Sequence, residues 1–534
     1  MKSRTTPTRA IPSLKSRAAV RPDHRPGLVF AVFAPFGTDP RLSGYPGVAV
    51  QPLEQHPMLQ SLKDVAAQGV NVVALIDLVD DDTWLVEIPA WRPQQWRKFS
   101  TWKQAMNRPQ SLAGFLRHAH LRFRCAHLVL ALEGHGAGFL PEIDSVRITP
   151  ESTSTPQTKP RSWTVSGTGS VPSNDDGTPL LGIAGYAELP VDSPEALPIT
   201  LPISTWGLAK ALDLARGYGV PRPAIIHFNN CFNMSLEHLH TVARYADVAT
   251  GYTNYNYFTS GSTYVKVFER LRNGGPQSPL TVGRWFAEEN RIPLQNPPFH
   301  PGVGATIALK KVEDLGKLVD ELAGLLTRAL QGNRATHFPR IQKAVFDALQ
   351  LDTNADYRLE VPDQSTDLGT WTAQLMLQYP DINDPIHKAA RNVNDALKGV
   401  KVYGDSGPSK MRPNEIWNFA HDRIAISIML PDPKVDGTQD WRTPYYMARK
   451  AVPGKAPSIK AQIPFLAERP DGTQAPWPAF LDEYHNVKPL PEVKLLRIPP
   501  FEFPVFDAKY TPPEGGPNDP GKPDPTTGRG PTGR

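Results

Sequence analysis

Residues 126–138 read AHLVLALEGHGAG, and residues 224–233 read AIIHFNNCFN. Each is an apolar run of strand length that breaks off into polar residues, the pattern of a strand buried on both faces. Three more runs of this kind flank them: residues 28–33 (LVFAVF), 70–78 (VNVVALIDL) and 84–88 (WLVEI). The last follows the acidic turn Asp80-Asp81-Asp82 and is expected to pair with the run before it. Between these runs the spacing changes to helical, over 58–68 with Gly69 as a stop, 111–120, 201–217 and 234–245. Alternating strands and helices with continuous apolar strands predict an α/β fold, a mainly parallel sheet with helices on both faces. In such sheets a ligand sits outside the carboxyl ends of the strands.

Two reactive side chains fall at those ends. His135 stands among glycines after the run 126–132, and Cys231 follows the run 224–229. If the two strands are parallel neighbours, the imidazole and the thiol emerge at one edge. A neighbouring imidazole can generate or stabilise the thiolate, and a helix starting near Asn233 would lower the thiol pKa further. The Gly136 and Cys231 amides could then form an oxyanion hole. A lone cysteine after a strand is more often buried filler than reagent, and Cys125, just before a strand and without a glycine-rich partner, fits that description.

The stretches LVLALEGHGAGF (128–139) and HFNNCFNMSLE (227–237) resemble the His-Gly and Asp-x-Cys-x-Met-x-x-x-Glu signatures of the clostripain family, cysteine peptidases of caspase-like fold. Helix 111–120, the segment TGYTNYNYFTS (250–260), the strand IAISIMLP (424–431) and the Trp and Tyr residues of 477–484 follow in the family's order, so the resemblance spans residues 27–485. It implies His135 as general base and acid, Cys231 as nucleophile, Gly136 and Cys231 as oxyanion donors, and a protein or peptide substrate. Relatives cleave after Arg or Lys with the help of an acidic residue two before the nucleophile. Here that position is Asn229, and a neutral amide cannot supply the charge-assisted pairing of a carboxylate. Gly134 also stands where relatives carry Asp or Asn. Relatives mature by cutting between the two motifs, where Arg161 is the preferred candidate because Lys159 precedes Pro160. No cofactor is required; calcium enters by resemblance alone, with Asp80 to Asp82 reading more simply as a solvated turn.

The chain has 534 residues, enough for two or three domains. We expect a basic disordered arm (1–26), a caspase-like domain (27–309) with a long exposed loop at 145–176, a smaller mixed α/β C-terminal domain (310–486) and a proline-rich tail (487–534). In the C-terminal domain, 312–330, 387–397 and 477–484 read as helices and 424–430 as a strand. From 511 to 534, prolines and glycines take 13 of 24 positions, too few apolar groups to offset chain entropy. Seven of the chain's 58 basic residues lie in 1–26 against one acid. The remaining 51 basic and 52 acidic residues leave −1, which argues against a nucleic-acid partner. No run approaches the roughly 18 apolar residues of a membrane helix, and no apolar core follows the basic arm, so neither a membrane nor a secretory route is expected and the cytoplasm is. Gly404-Asp405-Ser406-Gly407-Pro408 looks like a protease serine loop but reads as a turn after the strand 401–403. The pairs His118/His120 and His238/His240 are spaced i, i+2 and so do not share a helix face. The alternative function is a non-catalytic interaction or regulatory module of the same fold, suggested by Asn229 and by proline-rich tails able to dock partners.

Overall fold

The computed structural model describes residues 27–36, 52–78, 83–99, 109–134, 205–230, 233–253, 263–294, 304–351, 365–405, 426–430, 463–467 and 471–486, with the single positions 11, 106, 203, 261 and 469. The expected arm apart from Ile11, the loop 145–176, the tail after 486 and the acidic turn at 80–82 lie outside them.

The five apolar runs are strands β1 (Leu28–Pro35), β2 (Asn71–Asp77), β3 (Thr83–Ile88), β5 (His127–Leu132) and β6 (Ile225–Phe228), with the short β4 (Arg97–Phe99) after β3. With β7 (Val248–Tyr252), β8 (Gly304–Ala308) and β11 (Lys401–Asp405) they form, among the described residues, a nine-stranded sheet of order β11-β8-β7-β6-β5-β1-β2-β3-β4. The pairs β2-β1, β1-β5, β5-β6 and β6-β7 are parallel. The strands beyond β2 and β7 are antiparallel, so the sheet is parallel at its centre and antiparallel at its margins.

Strand alternation sorts side chains to two layers. Val29, Ala31 and Phe33 of β1 face one cluster with α2 (Pro109–Phe123), α3 (Thr205–Gly217) and α4 (Leu236–Val242). Phe30, Val32 and Ala34 face the other, with α1 (Pro57–Ala67), α5 (Tyr264–Gly274) and α6 (Pro279–Leu294). Phe30 sits among Tyr264, Phe268 and Phe286, with ring centroids 5.0, 5.1 and 6.1 Å away. Helices therefore cover both faces, as the apolar strands require.

Residues 310–486 supply α7 (Val312–Phe346), β9 (Gln350–Leu351), β10 (Ser365–Asp367), α8 (Leu368–Gln378), α9 (Pro385–Val400), β11, β12 (Ser427–Met429) and α10 (Pro476–Tyr484). They contribute β11 to the central sheet, and Leu315, Trp371, Trp477 and Tyr484 belong to the same apolar cluster as Val29 and Leu130. The helix expected over 312–330 continues to Phe346 across a break at Asn333 (φ −152°), whose Oδ1 accepts from Thr336 N–H (3.2 Å) and so caps the second segment. The expected turn at 404–405 is strand instead: Gly404 and Asp405 pair with Ala305 and Gly304.

Strand β12 is tied to the segment before α4. Ser427 N–H donates to Met234 O (3.0 Å), and the fully buried Glu237 accepts from Met429 N–H (3.0 Å). On the other side Gly251 of β7 presses on β6: a methyl group there would lie 2.8 Å from Phe228 Cβ and 3.0 Å from Phe228 O. Backbone and Cβ cannot swing away as a side-chain tip can. Gly251→Ala is expected to destabilise the chain by about 1–3 kcal/mol, seen as a lower urea midpoint at unchanged slope.

Candidate functional site

His135, Gly136 and Cys231 lie outside the described residues, and so does Arg161. What the structure describes is the ground each proceeds from. Strands β5 and β6 are adjacent and parallel with Leu132 opposite Phe228. His135 follows Leu132 by three positions, and Cys231 follows Phe228 by three.

The ladder runs one step past the strands: Glu133 N–H donates to Phe33 O and Asn229 N–H to Leu132 O, both 2.9 Å. The chain then turns at Gly134, whose φ of +92° lies where a side chain is strained.

Glu133 and Asn229 continue the rows that face α5 and α6, the first after Val129 and Ala131, the second after Ile225 and His227. Both are 2% exposed. Asn229 Nδ2 donates to Glu133 Oε2 (2.9 Å), and the Tyr264 hydroxyl of α5 donates to Glu133 Oε1. Asn290 of α6 reaches Asn229 Oδ1 (3.4 Å) and His227 Nε2 (2.9 Å) through its Nδ2, while its own Oδ1 accepts from Thr263. His227 stacks on Phe286 at 4.8 Å between centroids. Further on, Asn233 Nδ2 donates to Asn230 Oδ1, bracketing position 231 with a short polar contact.

Burial sets the electrostatics. It pushes the Glu133 carboxyl up to about 7, against the hydrogen bonds from Tyr264 and Asn229 that favour the charged form. The same burial holds His227 neutral, down to about 3, and with the Glu133 charge nearby raises the Tyr264 phenol well above its usual value. Asn229, expected at the substrate's P1 side chain, has its amide committed to Glu133 and its oxygen approached by Asn290.

The other candidates are occupied by structure. Cys125 is 6% exposed, its Sγ–H donates to His127 O (3.0 Å), and burial raises the thiol to about 12, so it is not a reagent. His118 and Arg122 hold the buried Glu87 carboxylate at 2.8 and 2.7 Å; although burial opposes it, these bonds keep Glu87 below the usual range. His238 meets Thr205 (3.1 Å) and His240 packs on Phe465, so the two face different neighbours. Helix α4 starts at Leu236, later than expected, because Ser235 Oγ caps it by accepting from His238 N–H (3.3 Å). Among the described residues no three His, Cys, Asp or Glu side chains are grouped to hold a metal ion, and no helix is long and apolar enough to cross a membrane. Sequence reading missed Glu133, Tyr264 and Asn290: their partners are up to 131 positions away, and an isolated Glu after a strand carries no periodic signal.

The Glu133 shift has a defined sign. Between its ordinary value of 4.5 and about 7 the folded chain keeps a proton that the unfolded chain has released, so folding stability falls as pH rises through this window. The loss amounts to about 3 kcal/mol at most. Thermal unfolding of Glu133→Gln against the parent from pH 4.5 to 8 is expected to show a flatter pH dependence in the variant; parallel curves would contradict a neutralised Glu133.

No family model matches the chain, and no curated protein matches it. Among solved structures, a secreted C11 cysteine protease of Bacteroides thetaiotaomicron, "iotapain", is 11% identical, covering 78% of this chain and 98% of its own, with a TM-score of 0.49. An inactive zymogen C11 protease from Parabacteroides distasonis is 12% identical over 81% of this chain and 96% of its own, TM-score 0.44. A clostripain from Bacteroides thetaiotaomicron in complex with a peptide inhibitor is 14% identical over 46% of this chain and 94% of its own, TM-score 0.30. The chain is similar to these proteases at identities and superposition scores too low to carry its chemistry.

Proposed function

We propose that the chain is a caspase-like cysteine endopeptidase with Cys231 as nucleophile and His135 as general base and acid. The observation that carries the reading is the parallel pairing of β5 with β6 in the register Leu132 to Phe228, which gives His135 and Cys231 the same offset from one carboxyl edge. Cys125, the other thiol, is sealed in the core, which leaves Cys231 as the candidate reagent.

In the proposed reaction the Cys231 thiolate attacks the scissile carbonyl carbon, and the oxygen takes the charge, accepting from the Gly136 and Cys231 amides. Collapse breaks the C–N bond, and His135 protonates the departing amine. The thioester that remains is hydrolysed by a water molecule whose proton passes to His135 while its oxygen bonds the acyl carbon and the C–S bond breaks, regenerating the Cys231 thiolate. This chemistry needs no cofactor. With Asn229 engaged by Glu133 and Asn290, a basic P1 side chain gains no charge-assisted partner at that position. We further propose self-processing in 145–176, at the bond after Arg161.

Hydrolysis of a positional-scanning peptide library by the purified chain tests the activity. Cys231→Ala and His135→Ala are each expected to lose at least about a thousandfold in rate. A chain that cleaves no peptide, or a Cys231→Ala variant that cleaves as the parent does, refutes the peptidase reading. Intact mass after incubation tests processing: the parent is expected to split after Arg161 and Cys231→Ala to remain whole. Cleavage that persists in the variant excludes self-processing.

A further inference from the structure

Glu133 is two residues before His135, and Asn229 is two residues before Cys231. Their side chains meet at 2.9 Å across neighbouring strands, beside the backbone bond from Asn229 N–H to Leu132 O, the last of the ladder among the described residues. We propose that Glu133 and Asn229 form a positioning clamp that fixes the spacing of the two chain segments leading to His135 and Cys231. This rests on the peptidase reading above.

The choice of residues supports it. A buried carboxyl with neutral partners only is expensive, and an apolar pair would pack two strand ends without that cost. Above about pH 7, where Glu133 is charged, it adds acceptor capacity on two oxygens and no donor. Glu133 uses one oxygen for Tyr264 and the other for Asn229, so it joins β5, β6 and α5 through one side chain. Tyr264 is itself fixed by ring contacts with Phe30 at 5.0 Å and Phe286 at 5.8 Å. Asn290 holds the far side of Asn229 and is in turn held by Thr263. The titratable groups facing Glu133 from the surrounding elements are Tyr264 of α5, Tyr252 of β7, which acts on Tyr264, and His227 of β6; burial holds His227 neutral.

Donor counting predicts how the clamp breaks and how it is restored. In Glu133→Gln the new amide nitrogen either confronts Asn229 Nδ2, donor to donor, or turns to the Tyr264 hydroxyl, which can accept it but then loses the oxygen it donates to. Turning Asn229 over only moves the donor clash to Asn290. In Glu133→Gln combined with Asn229→Asp, residue 133 donates to residue 229, its oxygen still accepts from Tyr264, and the second oxygen at 229 accepts from Asn290. Every partner is again satisfied with the polarity of the bridge reversed.

The test is alkylation of the full chain by iodoacetamide across pH 5 to 9, with each thiol followed by peptide mass. Cys125 serves as the internal monitor, since it stays unlabelled while the fold is intact. Parent Cys231 is expected to react at pH 7.5, and His135→Ala to react about tenfold more slowly. Glu133→Gln is expected to slow Cys231 about tenfold at pH 7.5, where parent Glu133 is charged, and to move its pH profile upward, with Cys125 protected, and the double variant to return to within about threefold of the parent. Should Glu133→Gln expose Cys125, Tyr264→Phe with Cys125 protected takes its place, expected to slow Cys231 at least about threefold. A parent-like profile in the variant that keeps Cys125 protected, or a double variant no faster than Glu133→Gln, overturns the clamp. A Cys231 rate indifferent to His135→Ala in the parent background overturns the peptidase reading, and the clamp with it.

Discussion

The pairing of β5 with β6 is the contact on which the rest depends. The strands are four to six residues long, parallel, and buried on both faces. Because side chains alternate, the register that sets Leu132 beside Phe228 also sets Glu133 beside Asn229 and sends both toward α5 and α6. A slip of one residue would turn the polar pair into the opposite apolar layer of Leu130, Leu132 and Phe228. Register, polar network and the shared departure edge of the two motif segments are thus one constraint seen three ways.

The layer beyond the sheet serves that constraint. Strand β12, from the C-terminal half of the chain, pairs through Ser427 with Met234 and hands Met429 N–H to Glu237. The segment after position 231 is therefore held from behind by a piece of chain nearly two hundred residues later. On the opposite side Gly251 lets β7 lie close against Phe228. The supports at Phe228 and Met234 are thus made by backbone atoms and a Cβ rather than by flexible side-chain tips.

Much of the architecture was legible in the sequence because it is written in period. Continuous apolar runs gave β1, β2, β3, β5 and β6, and helical spacing gave α1, α2, α3 and α9. What escaped had weak period or distant partners: the two- and three-residue strands β4, β9 and β10, and the strands β7 and β8, which take their place from neighbours rather than from their own pattern. At the site, the motif residues could be named from local context. The network beneath could not, because Glu133, Tyr264 and Asn290 carry ordinary labels of strand end and helix, and only folding brings a phenol 131 positions away to a carboxyl. The start of α4 was misjudged for a smaller reason: Ser235 competes for the cap and delays the first helical turn.

Among the described residues strand β4 ends the sheet on one side with three residues, two of them the exposed Arg97 and Lys98, the second paired with Glu54. An edge so brief offers an incoming strand little backbone to pair with, and the two long charged side chains along it must be moved or desolvated before a strand can dock. Growth of this sheet into a shared, intermolecular one is thereby discouraged at that margin.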